Sequence, residues 1–207
     1  EELFDLFKSV TLKFEVILVN DGGSDKSYQK CLSFKEKYSN FHLIDLKKNY
    51  GQKIATSIGY ENSKGRCIIT YDDDMQYNLN DILKLYNFYK RNDVDVVSVV
   101  SKDYNDSVGL NFRTLSMFFL DYIFFPKYRK AKYFTSFKAY NSTLKLRKVN
   151  IFHFWQIDPK RIINFSVEKK NRPIRKTNYN ISEYFRLLNH IIAKVIFKIV
   201  VFFIIIS

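Results

Sequence analysis

Three consecutive carboxylates, Asp72, Asp73 and Asp74, follow the apolar run Cys67-Ile-Ile-Thr-Tyr71. Adjacent acids raise one another's cost of ionisation, so the triplet asks for a cation. A hard divalent ion shared with a diphosphate meets that need, because Mg²⁺ typically takes one or two protein carboxylates and fills the rest of its shell with phosphate oxygens and water. The alternative for the triplet alone is a solvated acidic turn or a helix-capping cluster. A second polar cluster, Asn20-Asp-Gly-Gly-Ser-Asp25, follows another apolar run, Glu15-Val-Ile-Leu-Val19. Neither cluster is required by packing.

The elements that must position these groups are legible from periodicity. Leu3, Phe4, Leu6, Phe7 and Val10 have helical spacing. The runs 15–19, 41–44, 67–71 and 95–100 are short, apolar and rich in β-branched residues, and each is bounded by turn formers, as buried strands are. Between them lie helical patterns: one capped by Ser24 or Asp25 and carrying Tyr28, Cys31, Leu32 and Phe34, one carrying Ile54, Ala55, Ile58 and Gly59, and one from about Asp81 to Arg91. Strands alternating with helices predict an α/β fold with a largely parallel sheet flanked by helices. Right-handed crossovers place the carboxyl ends of the strands on one edge, where such folds bind ligands. Both acidic clusters fall there.

Taken in order, Val19-Asn-Asp-Gly-Gly-Ser-Asp25, Asn49-Tyr-Gly-Gln-Lys-Ile-Ala55, Gly59, Gly65 and Ile69-Thr-Tyr-Asp-Asp-Asp-Met-Gln76 resemble the nucleotide-sugar domain of inverting family-2 glycosyltransferases. Among these they are most similar to the polyprenyl-phosphate glycosyltransferases of the dolichol-phosphate-mannose synthase type. The resemblance covers residues 14 to about 100 and implies a GT-A, Rossmann-like fold. It implies that Asn20 and Asp21 contact the nucleotide base or ribose, that Asp25 belongs to the donor site, and that Asp72 faces the nucleotide and metal. Asp74 and Gln76 would coordinate Mg²⁺ or Mn²⁺ beneath the diphosphate, with Asp72 and Asp74 as the catalytic pair, while Asp73 adds field. Gly23 stands where the family has Ser, and Tyr77-Asn78-Leu79 replaces an acidic-Pro-Pro continuation. The family's first strand, with its own nucleotide contact, is expected to precede Glu1, so the chain reads as truncated at both ends.

The second half resembles the family less closely. Phe134-Thr-Ser-Phe-Lys-Ala-Tyr140 is similar to the family's acceptor segment and makes Ser136 and Lys138 candidates for an acceptor phosphate. Arg172-Pro-Ile-Arg-Lys-Thr-Asn-Tyr-Asn180 is similar to its juxtamembrane motif, and Arg113 and Arg172 join the acceptor set. The resulting organisation is a GT-A domain over 1–180 and a juxtamembrane amphipathic or apolar helix over 181–207. The partners implied are a nucleotide-sugar donor linked to UDP or GDP, a polyprenyl-phosphate lipid and a membrane, with the domain on the cytoplasmic face; a homo-oligomer is left open.

Charge supports a polyanionic partner. The chain carries 34 Lys and Arg against 21 Asp and Glu, net +13, but residues 1–100 hold 14 against 15 and residues 101–207 hold 20 against 6. Such asymmetry fits an anionic membrane surface or a phosphorylated substrate; no recognition-helix, RNP-type or finger motif accompanies it, which argues against nucleic acid. Residues 113–132 and 182–206 combine aromatic or apolar faces with basic residues and are predicted to face a membrane. The apolar stretch 199–206 is eight residues, short of the ~20 a spanning helix needs. Cys31 and Cys67 lack metal-ligand spacing and read as reduced core thiols, and His42, His153 and His190 read as structural. No acid occurs in 133–150, so a hydroxyl acceptor would find no general base there; an acceptor phosphate needs none. Asp158 is the nearby acid that would favour the alternative of transfer to a glycan hydroxyl; the expected absence of the first strand keeps open an inactive truncated copy.

Overall fold

The computed structural model describes residues 2–8, 10, 12–23, 26–72, 76–102, 135–149, 151 and 156–168. All of them belong to the first of the two units, 1–170 and 171–207, into which the chain divides. In chain order they form α1 (Glu2–Lys8), β1 (Val16–Asn20), α2 (Lys26–Lys37), β2 (Phe41–Asp45), α3 (Gln52–Asn62), β3 (Cys67–Thr70), α4 (Asn80–Lys90), β4 (Val96–Ser101), β5 (Lys138–Asn141), α5 (Thr143–Leu146) and β6 (Ile162–Val167). The expected alternation of strand and helix holds through β4, with each strand shifted by at most a residue or two.

The strands make two separately hydrogen-bonded sheets, β1-β2 and β3-β5-β4-β6. β1 and β2 are parallel, as are β4 and β6, whereas β5 runs antiparallel to both β3 and β4. β3, β4 and β6 therefore share a direction, and their carboxyl ends lie on one edge together with the amino end of β5. The chain leaves the described residues at Lys102 and re-enters at Thr135, both at that edge. Helix α3 joins the sheets by packing on β1 and β3. The fit is close: a Cβ on Gly59 would lie 3.2 Å from Val19 Cγ2.

The four-stranded sheet is apolar on both faces because both are covered, as buried parallel strands require. Alternation sends Ile68, Tyr140, Val96 and Ile162 to the face that carries Tyr60 of α3, and Ala139, Val97 and Val99 to the face of Ile82 and Leu85 of α4. The Tyr60 and Tyr140 rings meet edge to face, with centroids 5.6 Å apart. At the start of the chain Phe4 stacks on Tyr38. Among the described residues no helix is long and apolar enough to cross a membrane. The predicted membrane-facing segments, 113–132 and 182–206, lie outside the described residues.

Candidate active site

The carboxyl end of β1 is built around two loops that touch backbone to backbone. Gly22 has φ +76°, and a Cβ there would sit 2.4 Å from the backbone nitrogen of Asn49, so only glycine lets the loops close. Across this contact Asp21 accepts two backbone hydrogen bonds, Oδ1 from the Tyr50 N–H at 2.7 Å and Oδ2 from the Gly51 N–H at 2.8 Å. Asn20 donates through Nδ2 to Asp45 Oδ1 at 2.7 Å and to the Gly23 carbonyl at 2.5 Å. The expected donor-binding pair is thus also a clasp that fixes the start of α3, with further lone pairs free on Asn20 Oδ1 and the Asp21 oxygens.

The end of β3 is the second half of the site. Asp72 Oδ1 accepts from Gln52 Nε2 at 2.9 Å, and Oδ2 accepts from the Ser136 hydroxyl. Thr70 in turn holds Ser136 by donating to its carbonyl. Ser136, expected at the acceptor, so spends its one hydrogen on Asp72 and meets a further ligand through its lone pairs. Gln76 is buried, at 8% exposure, and next to it the Tyr77 carbonyl accepts from the Tyr71 hydroxyl. Asp25, Asp73, Asp74, Arg113 and Arg172 lie outside the described residues. Among those described, no three His, Cys, Asp or Glu gather to hold a metal. The donor chemistry of Asp72 nonetheless fits a hard cation: a carboxylate held by two neutral donors has free lone pairs for an ion that a diphosphate also ligates.

Lys138 lies on the face shared with Tyr60, in a row that register defines as Thr70, Lys138, Ser98 and Asn164 across all four strands. Burial pushes its ammonium down to about 8. Ser98 is fully buried, and its hydroxyl has no hydrogen-bond partner. A half-buried ammonium beside a polar row is stabilised by an incoming anion.

Other charges sit at the opposite edge. Asp95, 2% exposed, is held by Arg147 at 2.7 Å and Arg161 at 3.0 Å, and Arg161 also binds Asp93 at 3.1 Å. Asp158 caps the turn before β6 by accepting from the Lys160 N–H, so it stands a strand's length from Asp72. Glu15 takes the Lys64 and Gly65 N–H groups, with His42 3.8 Å away. The two cysteines are free thiols, and burial pushes the Cys67 thiol up to about 12. Sequence reasoning missed Gln52 and Asp45; both are ordinary polar residues at element ends, and only the spacing of Gln52 after Asn49-Tyr50-Gly51 hinted at a role.

Comparison with known proteins places this geometry. The profile of Glycosyl transferase family 2 matches residues 2–155. An undecaprenyl-phosphate 4-deoxy-4-formamido-L-arabinose transferase of Pseudomonas savastanoi pv. phaseolicola is 34% identical over 101 residues, 48% of this chain and 30% of that protein. A dolichyl-phosphate beta-glucosyltransferase of Trichomonas vaginalis is 27% identical over 111 residues, 52% of this chain and 34% of that one. The chain spans about a third or less of the length of these relatives. Among solved structures, mannosyl-3-phosphoglycerate synthase from Rubrobacter xylanophilus superimposes on 95% of this chain and 68% of its own, with TM-score 0.67 at 12% identity. A glucosyl-3-phosphoglycerate synthase from Mycobacterium tuberculosis, in complex with Mn²⁺, UDP-glucose and glycerol 3-phosphate, covers 93% of this chain and 73% of its own, with TM-score 0.61 at 13% identity. These likenesses show a GT-A-like fold.

Proposed function

This chain is a member of glycosyl transferase family 2, and from that membership we propose that it transfers a sugar, with inversion, from a UDP- or GDP-linked donor to a membrane polyprenyl phosphate. The observation that carries the choice of acceptor is the composition of the edge around Asp72. The start of β5 brings Ser136 and Lys138 there, and neither described acid of the second half comes with them. Asp158 caps a turn at the far edge, and Glu168 pairs with Lys102 at the β6 side of the sheet. At ~4.8 Å per strand, β6 is about 14 Å from β3. A hydroxyl acceptor needs a base to remove its proton; a phosphate arrives as an anion and needs only cations to hold it. The named relatives that act on undecaprenyl and dolichyl phosphates agree with this choice.

In this reading Asn20, Asp21 and Asp25 hold the nucleoside, and Asp72, Asp74 and Gln76 hold Mg²⁺ or Mn²⁺, which neutralises the leaving diphosphate when bound. Arg113, Ser136, Lys138 and Arg172 hold the acceptor phosphate in line with the sugar. Catalysis is then positioning and charge stabilisation. Residues 113–132 and 181–207 bring the domain to the cytoplasmic face of a membrane. The test supplies radiolabelled UDP- and GDP-sugars with undecaprenyl phosphate or undecaprenol in anionic vesicles. Metal-dependent label on the phosphate alone is the expected result, and label on the alcohol at a comparable rate would refute the acceptor assignment.

A further inference from the structure

The two carboxylates at the centre of the site belong to different sheets. Asp21 ends β1 and Asp72 follows β3, and no strand ladder joins these two strands. What joins them is three consecutive residues at the start of α3. Tyr50 and Gly51 give their backbone N–H groups to Asp21, and Gln52, the next residue, gives its side-chain amide to Asp72 Oδ1. Gly51, at φ +92°, makes the turn that allows this sequence of contacts. The other oxygen of Asp72 is taken by Ser136 from the start of β5.

We infer that Gln52 is a positioning residue for the transfer reaction, which registers Asp72 against the Asn20 and Asp21 half of the site by way of the short loop between β2 and α3. The inference rests on the transferase reading above and adds to it the element that fixes the distance between the nucleoside and metal ends of the donor. The chemistry suits the task. A carboxylate paired with a side-chain cation has its field already offset by that partner, whereas an amide N–H orients the carboxylate without bringing an opposing charge. Gln52 is exposed, unlike a residue kept for packing, and its side chain reaches from the first turn of α3, whose backbone is already pinned by Asp21. Removing the amide therefore leaves Asp72 held by Ser136 alone, without freeing the loop.

Gln52→Met keeps the side-chain length and the helix propensity and removes the donor; Lys53→Gln, on the same turn, is the control. Calorimetric titration with UDP and with GDP, each with Mn²⁺ and with EDTA, reads the metal-dependent gain in nucleotide affinity. Outer-shell partners of metal ligands typically carry about 10- to 100-fold in metal affinity. The gain should accordingly fall at least about tenfold in Gln52→Met, while the EDTA affinity and the thermal midpoint stay at the wild-type values and Lys53→Gln changes nothing. An unchanged gain in Gln52→Met, or an equal loss with and without Mn²⁺, overturns the role of Gln52 and leaves the transferase reading standing. Wild-type protein that binds neither nucleotide with Mn²⁺ overturns both.

Discussion

Two clusters at opposite edges of the strands treat charge in opposite ways. At the amino edge the buried carboxylate of Asp95 meets two guanidinium groups, and Arg161 reaches on to Asp93. Within that cluster each charge is matched by its opposite, and the product is a tie between the end of α5 and the starts of β4 and β6. At the carboxyl edge Asp21 meets two backbone amides, Asp72 meets an amide and a hydroxyl, and Lys138 has no carboxylate within ion-pair distance among the described residues. Matched charges hold a fold together; charges left with neutral partners remain available to something that binds.

That contrast predicts which substitutions damage activity and which damage stability. The largest effect is expected for Asp74→Asn, which removes the proposed metal ligand: kcat/KM should fall about a thousandfold or more, about 4 kcal/mol of transition-state stabilisation, with the urea midpoint unchanged. Asp73→Asn should cost far less. Asp95→Ala should do the reverse. It leaves Arg147 and Arg161 facing a buried gap and should cost about 3 kcal/mol of stability or more, while transfer per folded molecule stays close to wild type; chemical denaturation beside an active-fraction assay separates the two. Gly22→Ala forces a Cβ into the Asn49 backbone at a positive φ and should cost about 2 kcal/mol, with loss of nucleotide affinity because the Asp21 clasp opens.

The smallest effect is a pH dependence. Burial lowers the Lys138 ammonium from 10.5 to about 8, so between those values the unfolded chain binds more protons than the folded one, and this group makes stability rise with pH across that window. Below about pH 8 the full cost of burying the charge remains. Lys138→Met should flatten the rise, be the more stable protein at pH 7, and raise KM for polyprenyl phosphate more than for the nucleotide sugar. Urea midpoints from pH 7 to 10 check the first part.

Much of this was readable from residue types, and the remainder was not, for definite reasons. β1 to β4 announce themselves because each is an apolar run cut off by turn residues. β5 does not: Lys138-Ala-Tyr-Asn141 is four residues long and opens on a lysine, and its strand state comes from long-range pairing with β3 and β4. That pairing is also what adds an antiparallel strand to the largely parallel arrangement that was expected. Asp21 and Asp72 were legible as acids at strand ends. Their partners were less so, since the backbone N–H of Tyr50 and Gly51 has no residue-type signature and Gln52 is an unremarkable helix-start residue. Asp158 looked near the acceptor segment in sequence, but β5 carries the chain from Ser136 to the other edge before Asp158 is reached.

The central claim, that the carboxyl edge binds and the amino edge only supports, is tested most directly by hydrogen exchange with mass spectrometry on the protein with and without UDP and Mn²⁺. The account predicts slowed exchange at residues 20–23, 49–52 and 136–138, and unchanged exchange at 93–95, 147 and 158–161. Protection concentrated on the second set, with the first unaffected, would contradict it.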